Sequence, residues 1–341
     1  MAAAAQDPPS GGPIGVLVMS GRDAPELKVL DKLPAGMRVV AVGRSLEDFS
    51  GVSEEEWRSV QVLLNCGILK NAAKRDQIEA VWPKIPNLKW MHLASAGIEH
   101  VVFPDLVDGD VTLTNASGCF SHSLAEFCLF GCKYFALDFP RMQAAKAGKR
   151  WEPYEVEELR GRTMGIIGYG DIGQTCARLA RVFRMNVVAY KRSPGDPAGL
   201  ADAVYSDEAG LVKLAAESDY VVAALPGTPK TRAMIDAKVF AAMKPTAVFV
   251  NIGRGTTVDE PALVDALATK KIRGAVLDVF ATEPLPEESP LWEMENVIVS
   301  PHTADRTTEF QFEALQFFVE NAERFAAGEM LHNVVDKKAG Y

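Results

Sequence analysis

The chain of 341 residues is short of several things, and each shortage removes a class of function. Cysteine occurs only at 66, 119, 128, 132 and 176, an odd number with no CxxC pair. Disulfide frameworks and structural zinc sites need paired spacings, so both are set aside and a reducing, cytoplasmic setting is expected. Cys128 and Cys132 lie one helical turn apart and read as core packing. Basic charge is in deficit, with 36 Lys and Arg against 45 Asp and Glu for a net charge of −9. A general nucleic-acid binder needs a broad basic surface. A few local donors can still hold a small anion. No apolar run reaches the ~18 residues of a membrane span. The first 13 residues hold no Arg or Lys, so they match neither a secretory n-region nor an Arg-rich transit peptide, and they read as a flexible tail. Solenoid periods are absent as well.

What is present is an alternation of apolar runs and amphipathic segments, the pattern of an α/β protein with parallel sheets. The length favours two domains. The first half offers strands at Ile14–Met19, Arg38–Val42, Val60–Cys66, Lys89–Leu93 and Val111–Asn115. One long helix is expected over 121–147, ended by Gly148. A second doubly wound unit follows, with strands at Thr163–Gly168, Asn186–Lys191, Tyr220–Leu225, Ala247–Ile252, Gly274–Val279 and Val297–Ser300. Helical patterns fall at Asp171–Phe183, Asp207–Ala216, Ala237–Met243 and Asp259–Ala268. A last helix, Thr307–Ala327, is expected to pack back on the first unit.

The run Gly168-Tyr169-Gly170-Asp171-Ile172-Gly173 sits between a strand pattern and a helix pattern whose apolar positions are Ile172, Cys176, Leu179, Ala180 and Phe183. In a dinucleotide fingerprint the first glycine makes the tight turn, the second admits the pyrophosphate, and the third lets helix and strand pack closely. Free amides at the helix start then face the phosphates. About 20 residues on, an NAD site carries an acidic residue for the ribose hydroxyls. Here Lys191, Arg192 and Ser193 stand instead, two cations and a hydroxyl suited to a 2′-phosphate. NADP(H) is therefore expected over NAD(H), with an enzyme that tolerates either cofactor as the other reading.

Three later strands each end beside one chemical group: Arg254, Glu283 and His302. Strand ends in an open parallel sheet converge on one crevice. Carbonyl reduction by a nicotinamide needs a proton donor and a charge clamp. His302 suits the first, titrating near neutral pH. Glu283 would fix its tautomer and favour the imidazolium. Arg254 would grip a substrate carboxylate with a planar fork. Asp278, inside an apolar strand pattern, needs partners if buried. These would be the nicotinamide carboxamide or a loop of the protein.

These residues resemble the D-isomer-specific 2-hydroxyacid dehydrogenase family. The match runs from Thr114-Asn115 through Ala125-Glu126, Trp151, Leu159-Arg160-Gly161, Gly165–Gly173, Leu225-Pro226, Asn251-Ile252-Gly253-Arg254-Gly255, Leu277-Asp278-Val279 and Glu283-Pro284 to His302. The N-terminal unit matches best at Leu93-Ala94-Ser95-Ala96-Gly97, which looks like the family loop whose amides bind the substrate carboxylate. The resemblance implies a Rossmann cofactor domain (116–304) inserted into a flavodoxin-like substrate domain (14–115 and 305–341), a homodimer built with the help of the 121–147 helix, and a small anionic 2-oxo acid as substrate. It implies that Arg254 binds substrate, that Glu283 and His302 form the acid–base pair, and that Leu225, Pro226, Ile252, Gly253 and Asp278 line the cofactor.

The chain departs from the family pattern in three places. Lys191-Arg192 resembles NADP-using glyoxylate and hydroxypyruvate reductases. Gly253 replaces a frequent alanine or serine, a small change on sequence grounds. Asp305 replaces a frequent glycine, where a carboxylate would alter the His302 pKa or repel an anionic substrate. Two other functions compete with the leading one. One is a cofactor-sensing, corepressor-like scaffold, which would keep the same three residues. The other is a methyltransferase using the glycine loop, in which Arg254, Glu283 and His302 have no clear role.

Overall fold

The computed structural model describes residues 12–67, 71–196, 198–307 and 309–340. Residues 1–11, most of the expected tail, lie outside these. The chain forms two compact units: residues up to 119 together with those after 307, and Phe120–Thr307 between them.

The first unit is a five-stranded sheet of β1 (Ile14–Met19), β2 (Met37–Gly43), β3 (Val60–Asn65), β4 (Trp90–Leu93) and β5 (Thr112–Asn115). Its order is β2-β1-β3-β4-β5, and every pair is parallel. Helices α1 (Glu54–Ser59), α2 (Arg75–Val81) and α3 (Pro104–Asp108) connect the strands. All six residues of β1 are buried, as a strand covered on both faces requires. The order reverses between β1 and β3, the switch point of a flavodoxin-like sheet.

The second unit opens with α4 (Ser121–Ala136) and α5 (Phe139–Ala147), which replace the expected single helix over 121–147. Asp138 sits between them in the left-handed region (φ 47°). Pro140 explains the break: it has no N–H to give the carbonyl four residues back, and its ring crowds that carbonyl. The Ala136 carbonyl instead accepts from the Glu157 amide at 2.8 Å, and Tyr154 donates its hydroxyl to the next carbonyl, of Leu137, also at 2.8 Å.

Seven parallel strands then follow: β6 (Thr163–Ile167), β7 (Asn186–Tyr190), β8 (Ala203–Tyr205), β9 (Tyr220–Ala223), β10 (Val248–Asn251), β11 (Gly274–Leu277) and β12 (Val297–Val299). Their order, β12-β11-β10-β9-β6-β7-β8, is doubly wound about the β6/β9 switch point. β8 is absent from the expectations. It is a three-residue edge strand, half-buried throughout, and too short to show a period. Helices α6 (Asp171–Val182), α7 (Glu208–Glu217), α8 (Ala237–Ala242) and α9 (Glu260–Ala268) cover the sheet. The core here gathers Phe240, Phe249, Leu263 and Leu277 among others.

The final helix, α10 (Phe310–Ala326), belongs to the first unit. Phe318 stacks on Trp90 of β4 with ring centroids 5.1 Å apart, and Phe325 lies 5.4 Å from the same indole. Both units are thus parallel α/β sheets of the class expected. Among the described residues, no helix is long and apolar enough to cross a membrane.

Candidate active site

The glycine loop lies between β6 and α6. Gly168 adopts φ +100°, a conformation other residues seldom take, and a Cβ there would meet the Ala224 carbonyl at 2.6 Å. At Gly173 a Cβ would fall 2.2 Å from the Gly168 oxygen, so the helix could not seat so closely on the loop. Gly170 differs: no protein atom lies within 4 Å of its Cβ position. It is the N-cap of α6, and no side chain caps the helix. The first-turn amides therefore border open space beside an uncapped helix start, which suits a phosphate. Ser121 donates its hydroxyl to the Asp171 carboxylate and ties α4 to this turn. The helix buries Gly173, Thr175, Cys176, Ala177 and Ala180, whereas Phe183, expected on the apolar face, is 41% exposed at the helix end. Tyr169 is buried, which pushes its phenol up to about 12, with the nearby Asp196 charge adding to the effect.

β7 lies beside β6, and the Gly168 amide donates to the Tyr190 carbonyl at 3.0 Å. Lys191, Arg192 and Ser193 follow at once, Lys191 half-buried and the other two exposed. The next carboxylate, Asp196, accepts from the backbone amides of Ala198 and Ala201 and so shapes its own loop.

At the end of β9, Leu225 is buried, and the Pro226 carbonyl accepts from the Thr231 hydroxyl at 2.6 Å. A Cβ on Gly253 would lie 2.7 Å from the Leu225 oxygen and 2.8 Å from its nitrogen. The absence of a side chain at 253 is therefore not a small matter: alanine would force the backbone at 224–225 to move. Asn251, buried at the end of β10, accepts from the Gly253 amide at 3.1 Å, and Ile252 is buried behind it. Arg254 follows, half-buried, with its Nη1 on the Gly253 carbonyl at 2.9 Å and its own carbonyl holding the Thr257 hydroxyl at 2.6 Å.

His302 and Glu283 meet. His302 Nδ1 lies 2.7 Å from Glu283 Oε2, while Glu283 Oε1 accepts from the Phe280 amide at 3.0 Å. The hydrogen bond to Glu283 raises the His302 pKa. Burial and the Arg254 charge oppose the rise, and the Glu283 and Asp278 charges add to it. For Glu283, burial pushes upward but loses to the bonds from His302 and Phe280, aided by the His302 and Arg254 charges, so its pKa is lowered. His302 and Glu283 thus act on each other, and the Arg254 charge acts on both. His302 itself takes φ +53°, and its amide donates to the Asp278 carbonyl at 2.9 Å.

Asp278 is almost fully buried and has loop partners. Its Oδ1 accepts from the Ser300 hydroxyl at 2.7 Å, the Thr303 amide at 2.9 Å and the Ala304 amide at 3.1 Å. One carboxylate oxygen thereby holds the turn carrying His302. Sequence reasoning missed Ser300 and Thr303; their only signal is Asp278, an acid in an apolar run one strand earlier. Asp305 is half-buried, and burial raises its pKa; the Asp278 charge adds, while His302 and Arg306 oppose. The His302 charge acts on Asp305, so the two groups interact, in line with the expectation for a carboxylate at this place.

In the first unit, Ser95, Ala96 and Gly97 follow β4. The Ser95 hydroxyl donates to the Gly97 carbonyl at 2.9 Å, and Asn115 Nδ2 donates to the Ala96 carbonyl at 2.7 Å. Their own three amides donate to no acceptor among the described residues. Among the described residues, no group of three His, Cys, Asp or Glu could hold a metal.

A doubly wound sheet with a glycine turn at its switch point, and a coupled imidazole and carboxylate beyond its later strands, defines a nucleotide-dependent oxidoreductase of the α/β class. Residues 135–304 match the model described as "D-isomer specific 2-hydroxyacid dehydrogenase, NAD binding domain". A glyoxylate reductase from Korarchaeum cryptofilum is 32% identical over 77% of this chain and 81% of its own length. A D-isomer specific 2-hydroxyacid dehydrogenase from Xanthobacter autotrophicus, solved with NADPH and MES, is 30% identical, with a TM-score of 0.81 over 97% of this chain and all of the other. An NADPH-dependent glyoxylate/hydroxypyruvate reductase from Sinorhizobium meliloti, solved with NADP and sulfate, superposes with a TM-score of 0.79 at 28% identity, covering 96% of this chain and all of its own. D-3-phosphoglycerate dehydrogenases also match, but the chain spans only 59% of that from Methanocaldococcus jannaschii, at 31% identity over 95% of this chain. The chain belongs to the D-isomer-specific 2-hydroxyacid dehydrogenase family.

Proposed function

We propose that the protein reduces a small 2-oxo acid, glyoxylate or hydroxypyruvate, with NADPH, and that His302 gives the proton. The observation that carries this is the 2.7 Å contact of His302 Nδ1 with Glu283, with both groups in the field of Arg254. Glu283 accepts a hydrogen bond from Nδ1–H, which leaves Nε2 to carry the proton that moves to the carbonyl oxygen. Arg254 binds the substrate carboxylate and draws charge from the adjacent carbonyl. The amides of Ser95, Ala96 and Gly97 are the first unit's donors for a substrate anion. A nicotinamide, when bound, supplies the hydride. Gly168 through Gly173 hold its pyrophosphate at the start of α6, Lys191, Arg192 and Ser193 hold the 2′-phosphate, and Leu225, Pro226, Ile252 and Gly253 line the rest. Asp278 keeps its second oxygen for the carboxamide while the first holds the His302 turn.

The protein works as a homodimer. In the second unit Phe130 (52% exposed), Met142 (41%) and Trp151 (96%) leave apolar surface in water, and such surface favours a partner of the same kind. Light scattering of the purified chain should return twice the monomer mass, and a monomer at working concentration would refute the dimer.

The deciding assay offers glyoxylate, hydroxypyruvate, pyruvate and phenylpyruvate with NADPH and with NADH, following cofactor absorbance. Turnover of the first two with NADPH is expected. Tight cofactor binding without turnover of any acid would replace the enzyme with the cofactor-sensing scaffold.

A further inference from the structure

Two strand-end loops of the second unit carry the chemical groups. After β10 the chain turns through Arg254 and Gly255 before α9. After β11 it turns through Phe280 and Ala281 to Glu283. These loops touch along their backbones: a Cβ on Gly255 would lie 1.9 Å from the Phe280 carbonyl carbon and 2.5 Å from the Ala281 nitrogen. One side chain then ties them together. Glu260, the first residue of α9, accepts from the Ala281 amide through Oε2 at 2.9 Å. The neighbouring Phe280 amide goes to Glu283, at 3.0 Å. Consecutive amides of one turn are therefore taken by two carboxylates, one anchored on the Arg254 side and one facing His302.

We propose that Glu260 is a positioning residue: by holding the Ala281 amide it fixes the turn that aims Glu283 at His302, and it registers that turn against the loop bearing Arg254. The inference rests on the acid–base pair proposed above. The ordinary reason for a glutamate at a helix start is the helix dipole. Here the start is already capped, since the Asp259 side chain accepts from the Ala262 amide at 3.2 Å, and the Glu260 carboxylate turns to another loop. The charged groups acting on His302 are Glu283 and Asp278 from the β11 loop and Arg254 from the β10 loop, with Asp305 coupled to it from its own loop. The Glu260 carboxylate bonds the Ala281 amide and the ring bonds Glu283, so Glu260 reaches the imidazole through the turn it holds.

The test is a histidine-selective NMR titration of the cofactor-free protein, with the His302 signal identified by its loss in His302→Gln. In the parent chain His302 titrates above its ordinary value. In Glu260→Ala the midpoint falls back toward that value, because Glu283 is no longer held on the imidazole. Glu260→Gln keeps an acceptor for the Ala281 amide and should titrate with the parent. In turnover, Glu260→Ala should lose roughly tenfold in kcat, inside the ~10²-fold that a 1 Å misplacement can cost, with the cofactor KM unchanged. An unmoved midpoint in a folded Glu260→Ala, or an equal fall in Glu260→Gln, overturns the proposal. The titration needs no substrate, so a chain that reduces no 2-oxo acid would defeat the proposed function and still leave this question answered.

Discussion

His302 carries the sharpest consequences at the scale of single residues. Its pKa is raised by Glu283, so the imidazolium persists above the ordinary value of 6.5. A proton donor works while protonated. The reductive rate should therefore be flat at low pH and fall as pH rises through the raised value. Stability from the His302–Glu283 pair has the same sign: it is fully present below 6.5 and is lost as pH rises through the folded-state value. The Glu283 side runs oppositely. Its lowered pKa makes its share present above 4.5 and lost as pH falls through the folded-state value. His302→Gln should cost ~10²–10⁴ in kcat, the usual worth of a placed general acid, and remove the high-pH limb. Steady-state kinetics over a pH series measures both, and a retained limb would reassign the proton. Lys191 and Arg192 set a second expectation. Replacing both with alanine should weaken NADPH binding at least tenfold more than NADH binding, read by titration calorimetry. Equal losses would mean that the pair does not meet a 2′-phosphate.

Elements make the site possible by ending where they do. β10, β11 and β12 pair in parallel register, Asn251 beside Leu277 and Leu277 beside Val299, so the loops bearing Arg254, Glu283 and His302 leave one edge of one sheet. Asp278 then locks the third loop to the second through Ser300, Thr303 and Ala304. β10 and β11 were legible because all their residues are buried and they appear as unbroken apolar runs, and half-buried β12 because Val297, Ile298 and Val299 are all β-branched. Their ends were legible for the same reason. The break at Asp138 was not, because Pro140 alone marks the join and a proline in the first turn of a helix leaves little else in the sequence to read. In the first unit, α10 depends on a few aromatic contacts with β4. Phe318→Ala removes a fully buried ring stacked on Trp90 and should destabilise the protein by about 3–5 kcal/mol. Denaturant unfolding followed by fluorescence would check this, and a cost under about 1 kcal/mol would show that α10 is held by something else.

The whole molecule shows its pH history most plainly through His92. This side chain is fully buried between Trp90 and Phe318, and burial drives its pKa down from 6.5 to about 3. Nδ1 meets the Thr114 hydroxyl at 2.7 Å, and Nε2 has no hydrogen-bond partner among the described residues. The folded protein thus holds His92 neutral while the unfolded chain takes up a proton. The resulting stability is present above pH 6.5 and is lost as pH falls from there toward about 3, at ~1.4 kcal/mol per pH unit for one proton. Unfolding free energies measured over that range should show the slope, and His92→Phe should flatten it. An unchanged slope would place the acid sensitivity in the carboxylates instead.

The sequence by itself determined the α/β class, eleven of the twelve strands among the described residues to within a residue or two, and the order of glycine turn, arginine, glutamate and histidine along the chain. These are local matters: a strand covered on both faces and a turn that needs glycine mark themselves in the residues that form them. Tertiary structure alone decided which strand lies beside which, that the Glu283 carboxylate reaches Nδ1 of the imidazole at 2.7 Å, where the buried Asp278 finds its donors, and why Gly253 and Gly255 have no room for a side chain. Each of those is a contact between residues far apart in the chain. Periodicity records only which face a residue turns inward, never what waits there.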